Sequence, residues 1–385
     1  MDFFLRFQNL KNDILNLFFR PFFLVKKVFF YNILENYNDN PYAISKFLYG
    51  LHPEIKQYWV YSEKEYVHDY PGYVILIKKN SIAYWFHKNT AKVLVDNSVG
   101  FQTTNSRMKS LFLRKKHQSN YSTWHGTPLK MIGADNKLSN IDYFSFHTSS
   151  THMILGSEYE KQIFTRAYNS VLNILLLGNP RNDCLISNND NEKKAIQERY
   201  CTENKKIVLF APTYRDVLYD DKIERISDDS IENILNMFSQ RFGGEWVFAY
   251  RFHHYDTYRK LCISLHQKNV IDVCDYPDMN MLLTSCDALI TDYSGSLFDF
   301  MLTRRPCFLF MPDYNQYGED RGMYLSADEL PWPHSCTIKD LLENIKTYEE
   351  EEVECKVNAF LKKTGNTNSG EATDRLCEMI INDLS

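Results

Sequence analysis

Two histidines stand where they could do chemistry. His125 lies in Trp124-His125-Gly126-Thr127-Pro128-Leu129-Lys130, where Gly126 permits a close backbone approach and Pro128 stiffens the loop. A histidine held this way can take a proton from a hydroxyl near neutral pH, which contributes about 10²–10⁴-fold to a rate. His253 stands two residues after Arg251, so in an extended chain both side chains point to one side. An imidazolium and a guanidinium there suit a diphosphate, whose charge must be offset as it leaves. Arg215, after Pro212-Thr213-Tyr214, and Arg321, before Gly322, are further candidate anion contacts. A third cluster, Thr291-Asp292-Tyr293-Ser294-Gly295-Ser296, is a small-polar turn between the apolar run Ala288-Leu289-Ile290 and the helical spacing of Leu297, Phe298, Met301 and Leu302. Unpaired N–H groups at such a helix start favour phosphate. Ser294 or Ser296 could instead cap the helix, with Asp299 completing a capping-box pattern. Each group also has a structural reading: a turn histidine, a surface cluster, a capped helix that binds nothing.

The elements around these clusters are short apolar runs alternating with helical patterns. Strands are expected near 58–61, 74–77, 92–96, 153–156, 174–177, 207–210, 246–250, 270–273, 288–290 and 307–311. Helices fall near 81–89, 158–168, 230–242 and 280–286. Such alternation indicates parallel α/β architecture, in which ligands bind at the carboxyl ends of strands. Arg215, Arg251 with His253, and Thr291 to Ser296 each follow a strand. Gly178-Asn179-Pro180-Arg181-Asn182-Asp183 is turn-rich and could link domains.

The chain has 385 residues, more than one ordinary core holds, so two domains are expected. A hydrophobic content of 44%, a charged content of 24% and a net charge of −5 describe a globular protein and argue against a dedicated nucleic-acid binder. None of the nine cysteines precedes Cys184 and none forms a CxxC pair, which suits buried thiols in a reducing compartment. No signal peptide is evident, so a cytoplasmic location is expected. No GxxxxGK[ST] occurs, no GxGxxG follows an early strand, and no grouping has metal-ligand spacing. A bound metal or tightly held cofactor is therefore not expected. Over the first 35 residues, Phe3, Phe4, Phe18, Phe19, Phe22, Phe23, Phe29 and Phe30 are interleaved with Arg6, Lys11, Arg20, Lys26 and Lys27. No run approaches the roughly 20 apolar residues of a membrane span. Basic aromatic helices suit the surface of an anionic membrane, the alternative being a helical hairpin on the protein's own core.

Several segments occur in one order: Trp124 to Lys130 with Gly133 and Asp135, Gly178 to Asp183, Ala211-Pro-Thr-Tyr-Arg215, Arg251-Phe252-His253, Thr291 to Ser294 with Phe298-Asp299, and Arg321-Gly322. Together they resemble the CDP-glycerol glycerophosphotransferase family, the teichoic-acid primases and polymerases and their capsule-synthesis relatives, from about Ile82 to Ile345. The resemblance implies a GT-B fold: two Rossmann-like domains facing across a cleft, with an N-terminal helical extension. The corresponding boundaries are 1–50 for the extension, 51–178 for an acceptor domain, 179–350 for a nucleotide-binding domain and 351–385 for helices packing back toward the first domain. It implies transfer of a polyol phosphate, glycerol phosphate first, from a CDP-polyol to a hydroxyl of an envelope polymer or its lipid-linked primer, releasing CMP on the inner face of the cell membrane. By that likeness His125 is the general base and His253 sits by the diphosphate. Trp124, Gly126, Thr127, Lys130, Arg215, Arg251, Thr291, Asp292, Ser294, Gly295, Ser296, Asp299 and Arg321 are the implied substrate contacts. Departures from the pattern at Asn179, His254 and Gly295, where relatives often carry a second Ser, leave the donor open. The rivals are a GT-B glycosyltransferase using a nucleotide sugar and a non-catalytic scaffold of an envelope-polymer assembly.

Overall fold

The structure is a computed structural model describing residues 3–33, 36–62, 70–98, 115–136, 150–168, 173–187, 190–213, 224–252, 269–314 and 322–385. The chain divides into two compact units. The first takes residues 1–125, 133–183 and 366–385, and the second takes 126–132 and 184–365.

The first unit is built on β1 (Val25–Tyr31), β2 (Gln57–Tyr61), β3 (Val74–Lys78), β4 (Ala91–Asp96), β5 (Ser119–Ser122), β6 (His152–Leu155) and β7 (Asn173–Leu176). Among the described residues these form one sheet in the order β3-β2-β1-β4-β5-β6-β7, with every pairing parallel. A parallel sheet is covered on both faces, and side chains alternate between them along each strand. Val28 and Phe30 accordingly join Trp59, Val93 and Val95 in one cluster, while Phe29 joins Tyr58, Val60 and Leu94 in another. The helix Ala372–Leu384 adds Leu376, Cys377, Ile380 and Leu384 to the first of these clusters. Its first N–H groups, on Ala372 and Thr373, donate to the Asp183 carboxylate at 3.2 and 2.7 Å.

The second unit is built on β8 (Lys206–Ala211), β9 (Trp246–Tyr250), β10 (Val270–Asp272), β11 (Ala288–Thr291), β12 (Cys307–Phe310) and β13 (His334–Ser335). Their order is β10-β9-β8-β11-β12-β13, again all parallel among the described residues. Counted from its own first strand, the second sheet runs 3-2-1-4-5-6, the dinucleotide-binding order, and the first runs 3-2-1-4-5-6-7, the same order with one strand added. The strand order reverses between β1 and β4 in one unit and between β8 and β11 in the other. Ligands of such sheets bind just beyond the strand ends at that point.

Three boundaries differ from expectation. The helical extension is present as the helix Phe3–Phe19, but residues 1–50 are not a separate part, because β1 lies inside the first sheet with Phe29 and Phe30 fully buried. The sequence of β1, Val-Lys-Lys-Val-Phe-Phe-Tyr, hides this because Lys27 is itself buried, its Nζ donating to Thr90 Oγ1 at 2.7 Å and meeting His87 Nδ1 at 2.9 Å. Gly178 to Asp183 belongs to the first unit, so the chain crosses at 183/184 and not at 178/179. The last two helices part company: Glu350–Lys363 lies in the second unit and Ala372–Leu384 in the first.

Candidate active site

The first unit brings His125 to the switch between β1 and β4. Asn97 follows β4 directly, and its carbonyl oxygen lies 2.7 Å from His125 Nδ1. A carbonyl only accepts, so Nδ1 carries the proton and Nε2 keeps its lone pair. The preceding residue, Trp124, has φ +54°, the left-handed region that costs a bulky residue about 1–2 kcal/mol. Its ring stacks on the His125 ring at 4.3 Å between centroids and meets Phe164 edge-on at 5.0 Å. Asn40 fixes the strained turn, its Nδ2 donating to Trp124 O at 3.0 Å and Thr123 O at 3.3 Å. Protein crowded around the imidazole lowers its pKa, opposed in part by the Asn97 carbonyl and the Asp39 carboxylate, while Arg181 adds to the lowering. As a residue, His125 is exposed to solvent.

The next residues fold with the second unit. Lys130 bridges Met323 in antiparallel fashion, Tyr324 N–H donates to Leu129 O at 2.8 Å, and Met131 N–H donates to Gly322 O at 3.2 Å. Gly322 has φ +69°, and a Cβ there would lie 2.8 Å from Met131 Sδ. A Cβ on Gly295 would lie 3.3 Å from Thr127 O and 3.7 Å from Gly126 Cα. Three segments far apart in sequence, Gly126 to Ile132, Ser294 to Ser296 and Gly322 to Tyr324, are thus neighbours inside one unit, and glycine is what lets two of them approach.

At the switch between β8 and β11, Asp292 Oδ1 accepts from Thr213 N–H at 2.8 Å and Thr213 Oγ1 at 2.6 Å, and Thr291 Oγ1 donates to Ala211 O at 2.7 Å. Thr291 and Asp292, expected to touch substrate, therefore join the two strand ends. The helix after them, Ser296–Met301, is only six residues long, and its N-cap is Gly295 with no side-chain cap. Of the two serines expected as caps, Ser294 reaches the first helical N–H, and Ser296 is itself the first helical residue. Ser294 Oγ accepts from Ser296 N–H at 3.3 Å and from Ser296 Oγ at 2.9 Å. Asp299 is buried on its first turn. Arg251 Nη1 donates to the carbonyls of Val273 at 3.2 Å and Tyr276 at 2.6 Å, which holds the loop after β10.

His253, Arg215 and Arg321 lie outside the described residues. Among the described residues no group of three or more His, Cys, Asp or Glu could hold a metal ion. Residues that sequence reasoning did not single out are Asp39, Asn40 and Asn97, together with the buried side chain of Arg181. The signal available was the polar run Asn36-Tyr37-Asn38-Asp39-Asn40 following an apolar segment, where a strand end was not recognised.

Residues 15–382 match the profile of the family described as CDP-Glycerol:Poly(glycerophosphate) glycerophosphotransferase. A teichoic acid glycerol-phosphate transferase of Staphylococcus aureus is 30% identical over 369 residues, covering 90% of both chains. A teichoic acid poly(glycerol phosphate) polymerase of Staphylococcus epidermidis is 28% identical over 372 residues, covering 91% of this chain and 49% of that one. The chain thus spans about half the length of the poly(glycerol phosphate) polymerases of S. epidermidis and Bacillus subtilis, at 49% and 47%. A solved structure of the wall teichoic acid polymerase TagF superposes with a TM-score of 0.83 at 26% identity, covering 99% of this chain and 94% of that one. A TagF variant soaked with CDPG gives 0.81 at 25% identity, covering 99% and 94%. A UDP-N-acetylglucosamine 2-epimerase of Listeria monocytogenes, at 12% identity, TM-score 0.52 and coverage of 93% and 96%, shares the fold alone. The fold is of the GT-B type, with two parallel-sheet α/β units.

Proposed function

The chain belongs to the CDP-glycerol:poly(glycerophosphate) glycerophosphotransferase family, and from that premise we propose that it transfers glycerol phosphate from CDP-glycerol to a hydroxyl of a teichoic-acid-type polymer or its lipid-linked primer. The observation that carries the reading is the state of His125. Its Nδ1–H is engaged by the Asn97 carbonyl, and its Nε2 is left as a base beside a backbone strained at Trp124. Strain of this kind persists where a site over-determines it.

In the proposed reaction the acceptor hydroxyl oxygen attacks the phosphorus that bears glycerol, and His125 Nε2 takes the hydroxyl proton. The bond from that phosphorus to the bridging oxygen breaks, and its electron pair leaves with CMP. The products are a phosphodiester and CMP, and the imidazolium then returns its proton to solvent. Charge growing on CMP calls for fixed donors and cations. His253, Arg215 and Arg321 are our candidates for the cations, with Lys130, Thr127 and the N–H groups of Ser294 to Ser296 as donors. Trp124 and Gly126 would border the acceptor, and Asp299 would meet the ribose. Arg251, Thr291 and Asp292 serve this site by holding strand-end loops, Arg251 through the Val273 and Tyr276 carbonyls, Thr291 through the Ala211 carbonyl and Asp292 through the Thr213 amide and hydroxyl. No tightly bound cofactor enters the scheme.

We further propose that the acceptor is reached from the cytoplasmic surface of an anionic membrane. Leu10, Ile14, Phe18, Phe22, Phe23 and Val25 are exposed, Phe23 at 91%, and the exposed Lys11 and Lys26 flank them. Apolar prongs among lysines suit an acidic bilayer surface. Among the described residues no helix is long and apolar enough to cross a membrane.

The test is a donor screen. The protein is incubated with CDP-glycerol, CDP-ribitol or UDP-sugars and an acceptor, and the released nucleotide and product mass are read. CMP with one added glycerol phosphate unit supports the reading. Release of UDP makes the chain a glycosyltransferase, and no turnover of any donor makes it a scaffold.

A further inference from the structure

Beneath His125 lies a buried polar cluster with no place in the phosphate chemistry above. Asp39 and Arg181 form an ion pair, Oδ1 to Nη1, at 3.1 Å, with their side chains 10% and 3% exposed. Asp39 Oδ2 accepts from Asn97 Nδ2 at 2.5 Å. Asn97 Nδ2 also donates to Asn32 Oδ1 at 2.9 Å, and Asn97 Oδ1 accepts from Ile33 N–H at 2.9 Å. Every polar group of the Asn97 side chain is therefore occupied, and the residue is fully buried. The residue is thereby anchored by its side chain, and its backbone carbonyl is the one that receives His125 Nδ1–H at 2.7 Å.

Stability does not explain this cluster. A buried ion pair is often no more stabilising than apolar residues of the same volume. Asp39 moreover adopts φ +61°, a second left-handed non-glycine residue within the same bonded group as Trp124. Two left-handed non-glycine residues thus border the bonds that reach one histidine ring, and Trp124 is the costly one. A side chain that acts as base at Nε2 needs its other nitrogen protonated and fixed, because the opposite tautomer presents an N–H where a lone pair is required.

We infer that Asp39, Asn97 and Arg181 are positioning residues for His125, holding its imidazole through the Asn97 carbonyl as the Nδ1–H tautomer with Nε2 bare. The inference rests on the reading of His125 as the base. Among the described residues, the charged groups acting on the ring are Asp39, from the start of the helix Asp39–Leu51, and Arg181, from the turn Pro180–Asn182. They act in opposite senses. The carboxylate favours the imidazolium and the guanidinium disfavours it, so removing each shifts the His125 titration in its own direction.

The experiment is 15N NMR of histidine-labelled full-length protein, with His125→Gln assigning the resonance, run on wild type, Asp39→Asn, Arg181→Gln and Arg181→Lys. Asparagine tolerates the left-handed backbone at position 39. In the wild type the neutral ring shows a protonated Nδ1 and a bare Nε2. The His125 pKa falls in Asp39→Asn, rises in Arg181→Gln, and returns toward wild type in Arg181→Lys. Turnover with CDP-glycerol drops on the order of 10²-fold in Asp39→Asn with KM for donor nearly unchanged, as expected of a misplaced group. An Nε2–H tautomer in the wild type overturns the inference, as does a His125 pKa that stays put in both charge-removing variants. If Asp39→Asn does not fold, the wild-type tautomer and the Arg181 pair decide. Full turnover by His125→Gln refutes the base reading whatever the spectra show, whereas a wrong tautomer refutes only the positioning, so the two failures are distinguishable.

Discussion

Removing the side chain of Asn40 tests whether the strained turn before His125 is held by hydrogen bonds or simply by packing. Asn40 is fully buried, its Oδ1 accepting from Arg181 N–H at 3.0 Å and its Nδ2 donating to Trp124 O at 3.0 Å and Thr123 O at 3.3 Å. Asn40→Ala leaves the Arg181 N–H and the Trp124 carbonyl without that partner, at about 1–3 kcal/mol each. The turn at Trp124 can then relax out of the left-handed region, which returns about 1–2 kcal/mol. With mid-range values the net loss is about 2–3 kcal/mol of stability in the first unit. Asn40→Leu fills the same space without the amide, so a hydrogen-bond origin predicts a loss of similar size, whereas a packing origin predicts recovery. Urea unfolding followed by tryptophan fluorescence reads the difference as a shift in midpoint at constant slope. An Asn40→Leu protein within about 0.5 kcal/mol of wild type, the ordinary scatter of neutral substitutions, refutes the reasoning.

Three further outcomes are expected. Gly133→Ala places a Cβ 2.4 Å from the Ala167 carbonyl oxygen at a residue with φ +56°, so neither the backbone neighbour nor the dihedral can accommodate it. Urea unfolding should show a loss of about 3 kcal/mol or more. Because the His125 pKa lies below the ordinary histidine value of 6.5 and the base form is the neutral one, kcat/KM should persist at pH 6.5 and fall only as pH drops through the lowered pKa. An acid limb above pH 7 contradicts this. Phe22→Ser with Phe23→Ser should cut flotation with vesicles of mixed anionic lipid at least tenfold, because the two residues are 43% and 91% exposed and burying them in lipid is the proposed attraction. Equal flotation of wild type and the double variant removes these residues from membrane contact.

What was legible in the sequence followed from local pattern. The runs ending at Ala211, Tyr250 and Thr291 are strands of the second sheet, and the polar residues after them fall at strand ends, since an apolar run closed by small polar residues has few other readings. β1 was not legible. Its two lysines read as solvent-facing, and only the fold shows Lys27 buried against Thr90 and His87, between the rings of Tyr58 and Phe86 at 5.1 and 5.0 Å. At the helix Ser296–Met301 the serine cap was legible, since Ser294 Oγ accepts from the first helical N–H, but not that the Ser296 hydroxyl turns to Ser294, an alternative that local spacing permits equally. Least legible was the support of His125. Asp39 and Arg181 are 142 positions apart, and their pairing exists only because the helix Asp39–Leu51 and the turn Pro180–Asn182 pack together in the first unit. Arg251 was legible as an arginine after a strand but not as one that would bond carbonyls, since guanidinium serves phosphate and backbone oxygen with the same donors.

The central claim is that His125 takes the proton from the attacking hydroxyl. The most direct measurement is CMP release from CDP-glycerol by His125→Ala, with donor binding followed separately by calorimetry. The account predicts a fall of at least about 10²-fold in release, with donor affinity retained and unfolding unchanged. Release within about threefold of wild type, less than any general base contributes, would contradict it.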